Sequence, residues 1–150
     1  MSESRETSAL IDPNDPAGAK ALGKLDGDLI AWFTTVDRSG EPRAVPVWFL
    51  WHDGRLLVTS EPETLKVARV RAGSPVLMHL ESGEFGNDVV IVRGDAAISE
   101  RSAAEWLPEI RDAYEAKYAE AMDDYGMGLD EIVQKFTTVI VVTPTKITAW

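Results

Sequence analysis

The chain has 150 residues, 45% of them hydrophobic, with a formal net charge of −10 and a sequence pI of about 4.6. That is the size and make-up of one globular domain, and its acidic balance argues against a nucleic-acid or membrane-surface partner. It has no cysteine, which excludes disulfides, thiolate metal sites and a cysteine nucleophile. No apolar run approaches the ~20 residues that span a bilayer. The start is polar and mixed in charge, unlike a signal peptide. The expected location is the cytoplasm.

Residues 1–18 contain Asp12-Pro13 and Asp15-Pro16 and little apolar periodicity, so they read as a flexible arm. The domain proper is then expected over residues 19–150, opening with a short helical turn over 19–25. Residues 29–36 read as a strand apolar on both faces, which calls for a second covering surface and so for a dimer. A turn over 37–40 leads to a strand over 43–51. Pro46 inside that strand suggests an edge, a bulge or backbone facing a ligand. Asp53-Gly54 is a tight-turn signal, and 55–59 returns as the next strand. Ser60, Pro62 and Glu63 predict a capped helix running to about Ala72, stopped by Gly73 and Pro75.

Strands follow over 76–81 and 88–98, the second bulged near Gly94. Ser102 and Glu105 predict a second capping box, opening a helix to Tyr125 with Trp106, Ile110, Tyr114, Tyr118 and Met122 on one stripe. Pro108 is expected to kink or divide its first turns. A short helix over 129–136, a strand over 137–142 ended by Pro144, and a last strand over 146–150 complete the chain. The sum is a mainly β, α+β domain, a barrel with appended helices.

Common catalytic signatures are absent. His52 and His79 are not spaced for a metal, so no metal site is expected, and no G-x-S-x-G elbow, G-x-G-x-x-G turn or P-loop occurs. No residue is singled out as catalytic. Chemistry, if present, is then carried by a bound cofactor. The segment that stands out is Ser60, Thr64 and Lys66 at a helix start, with Arg43 on the preceding strand and Arg69 and Arg71 further along. Free N–H groups, a hydroxyl and an ammonium suit a phosphate. The Ser60/Glu63 box competes for the same N–H groups, and Glu61 and Glu63 repel an anion.

Thr34-Thr35-Val36-Asp37, Gly40-Glu41-Pro42-Arg43-Ala44-Val45-Pro46-Val47-Trp48-Phe49, Thr59-Ser60 and Lys66 together resemble the pyridoxamine 5'-phosphate oxidase-like family of flavin-binding split barrels. Tyr114-Glu115-Ala116-Lys117-Tyr118, Gly126-Met127 and the ending Val141-Val142-Thr143-Pro144-Thr145-Lys146 resemble its actinobacterial deazaflavin-dependent branch. The resemblance runs from about Leu22 to the end. It implies a homodimer of six-stranded split β-barrels with the cofactor at the dimer interface. Pro46, Val47 and Trp48 would line the flavin ring, and Ser60, Thr64 and Lys66 would hold its phosphate. Arg43 matches a basic position. Leu65 stands where an arginine is common, and Arg69 where an asparagine is. The implied activity is hydride transfer from coenzyme F420 to a small organic acceptor. An FMN-binding reductase or oxidase-like protein is the first alternative, and a non-catalytic carrier of a cofactor or tetrapyrrole the second.

Overall fold

A computed structural model describes residues 10–150. The elements in chain order are α1 (Pro16–Gly27), β1 (Ala31–Val36), β2 (Pro42–Val47), β3 (Leu50–His52), β4 (Arg55–Ser60), α2 (Leu65–Arg71), β5 (Val76–Leu80), β6 (Val90–Ile98), α3 (Ala103–Tyr125), α4 (Leu129–Lys135) and β7 (Thr138–Ala149). The strands form one antiparallel seven-stranded sheet in the order β2-β1-β5-β6-β7-β4-β3.

That order has a geometric consequence. β2 and β3 lie at opposite edges, yet only Trp48 and Phe49 join them. Three Cα steps from Val47 to Leu50 reach at most ~11 Å, whereas the edges of a flat sheet of this width lie ~29 Å apart. The sheet must therefore curl until its edges meet, and it becomes a split barrel. The expected single strand over 43–51 is broken at the seam, which gives seven strands rather than six. Phe49, 0% exposed, plugs the barrel interior with Phe33, Leu56, Val58, Met78 and Ile140.

Alternation along the strands builds a second core outside the barrel. Leu56 and Val58 of β4 point inward, while Leu57 points out to Trp106, Ile110, Tyr114 and Tyr118 of α3 and Ile132 of α4. The expected capping box is present: Ser102 Oγ accepts from Glu105 N at 3.2 Å, and Glu105 Oε1 accepts from Ser102 N at 3.0 Å. Pro108 does not divide α3, which runs unbroken for 23 residues. The buried stripe packed on the sheet offsets the ~3 kcal/mol that an interior proline costs.

Two other expectations differ. The last two strands are one, β7, because Pro144 sits at a bulge: Arg93 faces Lys146 while Gly94 faces Pro144, so no ladder N–H is missed there. Gly94 is required at that bulge, since a Cβ would lie 2.6 Å from the Thr143 carbonyl oxygen. The second face of β1 (Trp32, Thr34, Val36) is half-exposed within one chain. Of the expected arm, residues 1–9 lie outside the described residues, Ile11 is buried in the core and α1 already starts at Pro16. Asp53 and Gly54 take φ values of 52° and 74°, the turn their sequence signals between β3 and β4.

The seam leaves the Phe49 backbone outside any ladder. Its N–H donates to Tyr118 Oη at 2.9 Å, its carbonyl accepts from Lys117 Nζ at 2.8 Å, and Tyr118 Oη donates in turn to the Leu29 carbonyl at 2.6 Å. Removing one hydroxyl therefore orphans the buried Phe49 N–H and the part-buried Leu29 carbonyl. Tyr118→Phe is expected to lower stability by about 2–4 kcal/mol in urea unfolding; a change under about 0.5 kcal/mol would show that the seam is held by packing alone.

Candidate functional site

β4 ends at Ser60, and the chain turns through Glu61 to Glu63 before α2 starts. The expected Ser60/Glu63 capping box does not form. Thr64 is the N-cap instead, its Oγ1 accepting from Val67 N at 3.5 Å, and the helix is only Leu65–Arg71. Ser60, 1% exposed, is used locally: its Oγ donates to the Glu61 carbonyl at 2.8 Å and lies 3.0 Å from Thr64 Oγ1. Pro62 and Glu63 fall in the turn because Ser60 remains the last strand residue, paired with Thr138.

Beside this turn lies a pocket of about 450 Å³. Pro46, Val47 and Trp48 form one wall, at the seam. Thr59, Ser60, Glu61, Thr64 and Lys66 form a polar end. Tyr114 and Tyr125 of α3, with Ile132 and Phe136 from the α4 region, close the rest. Six of the eight residues singled out in the sequence (Pro46, Val47, Trp48, Ser60, Thr64, Lys66) thus meet in one cavity. The other two do not. Arg43 is exposed on β2 opposite Thr35, and Arg69, on another side of α2, lines a separate cavity of about 390 Å³ with Asp37 and Arg38.

Sequence reading missed Thr59, Tyr114, Tyr125, Ile132 and Phe136. Tyr114 belongs to the helical stripe that reads as core, and it is core by burial at 3% exposed. Its hydroxyl is the signal that was available, because a buried phenol needs a partner.

The electrostatics of the pocket are simple. Lys66 is the one cation among the lining residues. It is half-buried and forms no ion pair among the described residues; burial pulls its ammonium below the ordinary lysine range, and Glu61 partly offsets this. Trp48 lies flat on Tyr118, with ring centroids 4.7 Å apart and planes 8° apart, and Tyr125 meets it edge-on at 6.1 Å. An aromatic wall backed by a fixed tyrosine faces a cationic end. That suits a planar ring carrying an anionic tail. Among the described residues no group of three or more His, Asp or Glu is placed to hold a metal, and no helix is long and apolar enough to cross a membrane. His52 bonds Glu109 at 2.7 Å instead.

The model of the pyridoxamine 5'-phosphate oxidase family matches residues 19–150. The chain belongs to this family. Solved structures agree on the fold. The conserved hypothetical protein Rv2991 from Mycobacterium tuberculosis is 18% identical, with 88% of this chain and 82% of that chain covered and a TM-score of 0.65. An F420 reductase is 24% identical, with 84% and 94% covered and a TM-score of 0.60. An FAD-binding protein from Mesorhizobium loti is 18% identical, with 87% and 91% covered and a TM-score of 0.61. No curated protein matches. Within the family's split barrel, the pocket of this chain lies where the seam meets α3.

Lys117 sets a pH dependence at the seam. Burial lowers its ammonium from 10.5 to about 8, with Asp26 and Asp28 opposing the shift. A lysine depressed in the fold carries its cost wherever both states are protonated, below about pH 8, and is relieved of it as pH rises toward 10.5. The stability of the wild type relative to Lys117→Met is therefore expected to increase between pH 8 and 10.5 in thermal melts. The paired comparison cancels the tyrosines. A difference constant across that window would show that Lys117 titrates normally.

Proposed function

We propose that this protein is an oxidoreductase that holds a flavin-type cofactor in the seam pocket, with coenzyme F420 as the first reading. The observation that carries it is the convergence of Pro46, Val47 and Trp48 with Ser60, Thr64 and Lys66 in one cavity of a family member. Trp48, Ile132 and Phe136 offer the ring an apolar bed. Lys66 takes the phosphate, and Thr64 is placed to assist it. Reduced deazaflavin, when bound, supplies a hydride to a small organic acceptor. The chain's share is to orient the ring, exclude water from one of its faces and neutralise its tail. No general acid is required of the protein, in keeping with the missing catalytic signatures. The F420 reductase among the similar structures supports this cofactor.

FMN is the second reading, and a specific observation favours it. Arg43 and Arg69 lie outside the pocket, so Lys66 faces the tail alone and Glu61 stands beside it. A single phosphate matches one lysine better than a longer polyanionic tail does. A homodimer belongs to the same proposal, with a second copy covering the half-exposed face of Trp32, Thr34 and Val36.

Titration of cofactor-free protein with F420 and FMN decides between the readings. Micromolar binding of one, weakened at least about tenfold in Lys66→Ala, is the expected result; binding of neither would end the proposal. Sedimentation at micromolar concentration is expected to give twice the 16.5 kDa chain mass, and a monomer would remove the second copy.

A further inference from the structure

The pocket contains a polar group that the phosphate reading does not use. Tyr114 is 3% exposed, and its hydroxyl has no partner at good hydrogen-bond geometry among the described residues; the Thr59 side chain lies beside it without forming a well-aligned bond. It lines the pocket together with Trp48, Ile132 and Phe136, away from any cation but Lys66. A buried hydroxyl without a partner costs ~1–3 kcal/mol, so native proteins rarely keep one without a reason. Tyr118, one turn along α3 at a centroid distance of 5.0 Å, shows the contrast, since its hydroxyl meets three backbone groups. Tyr118 holds the fold. Tyr114 has the same burial and no such duty.

We propose that Tyr114 positions the cofactor by donating a hydrogen bond from its buried hydroxyl to a neutral carbonyl oxygen on the conjugated ring bound in this pocket. This rests on the reading that the pocket holds a flavin-type ring. Three features fix the chemistry of the partner. Burial pushes the phenol up to about 12, partly offset by Thr59, so the group is a neutral donor throughout the physiological range. Trp48, Ile132 and Phe136 around it are apolar and Thr59 is uncharged, so a carboxylate would lose its hydration without a counter-charge and a carbonyl oxygen would not. The wall next to it, Trp48, is fixed flat by Tyr118 and sets the plane in which a ring must lie. Lys66 and Tyr114 then read opposite parts of one ligand, the ammonium its anionic tail and the phenol its ring.

The test uses Tyr114→Phe and Lys66→Ala in the full chain with three probes. These are FMN, coenzyme F420 and lumichrome, a flavin-type ring with carbonyls but no sugar chain or phosphate. Tyr114→Phe is expected to weaken the bound cofactor and lumichrome alike, by roughly three- to tenfold. Lys66→Ala is expected to weaken the phosphate-bearing cofactor and spare lumichrome. The ligand-free Tyr114→Phe protein should melt at or near the wild-type temperature, because the hydroxyl has no well-aligned protein partner to lose. A melting temperature lowered by several degrees would overturn the proposal by giving the hydroxyl a structural role. Unchanged affinity for all probes would also overturn it while leaving the pocket reading intact. An effect on the cofactor but not on lumichrome would assign Tyr114 to the tail and refute the ring contact. Binding of no probe by the wild type would defeat the pocket reading, and this inference with it.

Discussion

The bonds from Tyr118 and Lys117 to the Phe49 backbone are what the rest of the molecule depends on. A sheet whose two edges are consecutive in sequence has to close, and closure leaves one residue at the seam with a donor and an acceptor that no strand can satisfy. Helix α3 supplies both missing partners from adjacent positions. With the seam fixed, Phe49 fills the barrel and Trp48 is turned to the outside, where it lies against Tyr118. Side-chain hydrogen bonds thus do at one place what ladder bonds do elsewhere in the sheet.

The pocket is a by-product of the same arrangement. Its wall is the strand that runs into the seam, and its floor is the helix that clamps the seam. Tyr114 and Tyr118 lie one turn apart on that helix, with one committed to the backbone and the other left to the cavity. Changes in α3 therefore act on stability and on the shape of the pocket together. Lys117 adds a partly desolvated charge at the junction, held by a carbonyl oxygen and by the face of Phe49 at 3.6 Å.

Local chemistry was legible in the sequence wherever it was self-sufficient. Asp53-Gly54 needs only its own φ values, and Ser102 with Glu105 needs only three residues of spacing. Of the three readings Pro46 allowed, an edge is the one the strand order bears out, since β2 pairs only with β1. What needed tertiary context was hidden. Ser60 looked like a cap because nothing in the sequence says that it pairs with Thr138 as the end of a strand. Pro144 looked like a terminator because the bulge that admits it is made by Gly94, fifty residues earlier. Arg69 follows Lys66 closely in sequence, but helical rotation turns it to another cavity. The polar end of the pocket was visible as a short run of residues. Its aromatic end, assembled from α3 and the α4 region, was visible only as core.

Pro42 and Pro46 also shape how the open edge behaves toward other chains. Proline in a paired strand occupies positions whose N–H would face away from the neighbour, and these two share that parity in β2 with only Ala44 between them. An exposed strand of this length ordinarily presents a row of amides on which another chain can build. Here the row is reduced to a single donor, and the edge is a poor template for the strand addition that starts aggregation. At Pro46, the residue that shapes the pocket wall also blunts the exposed edge.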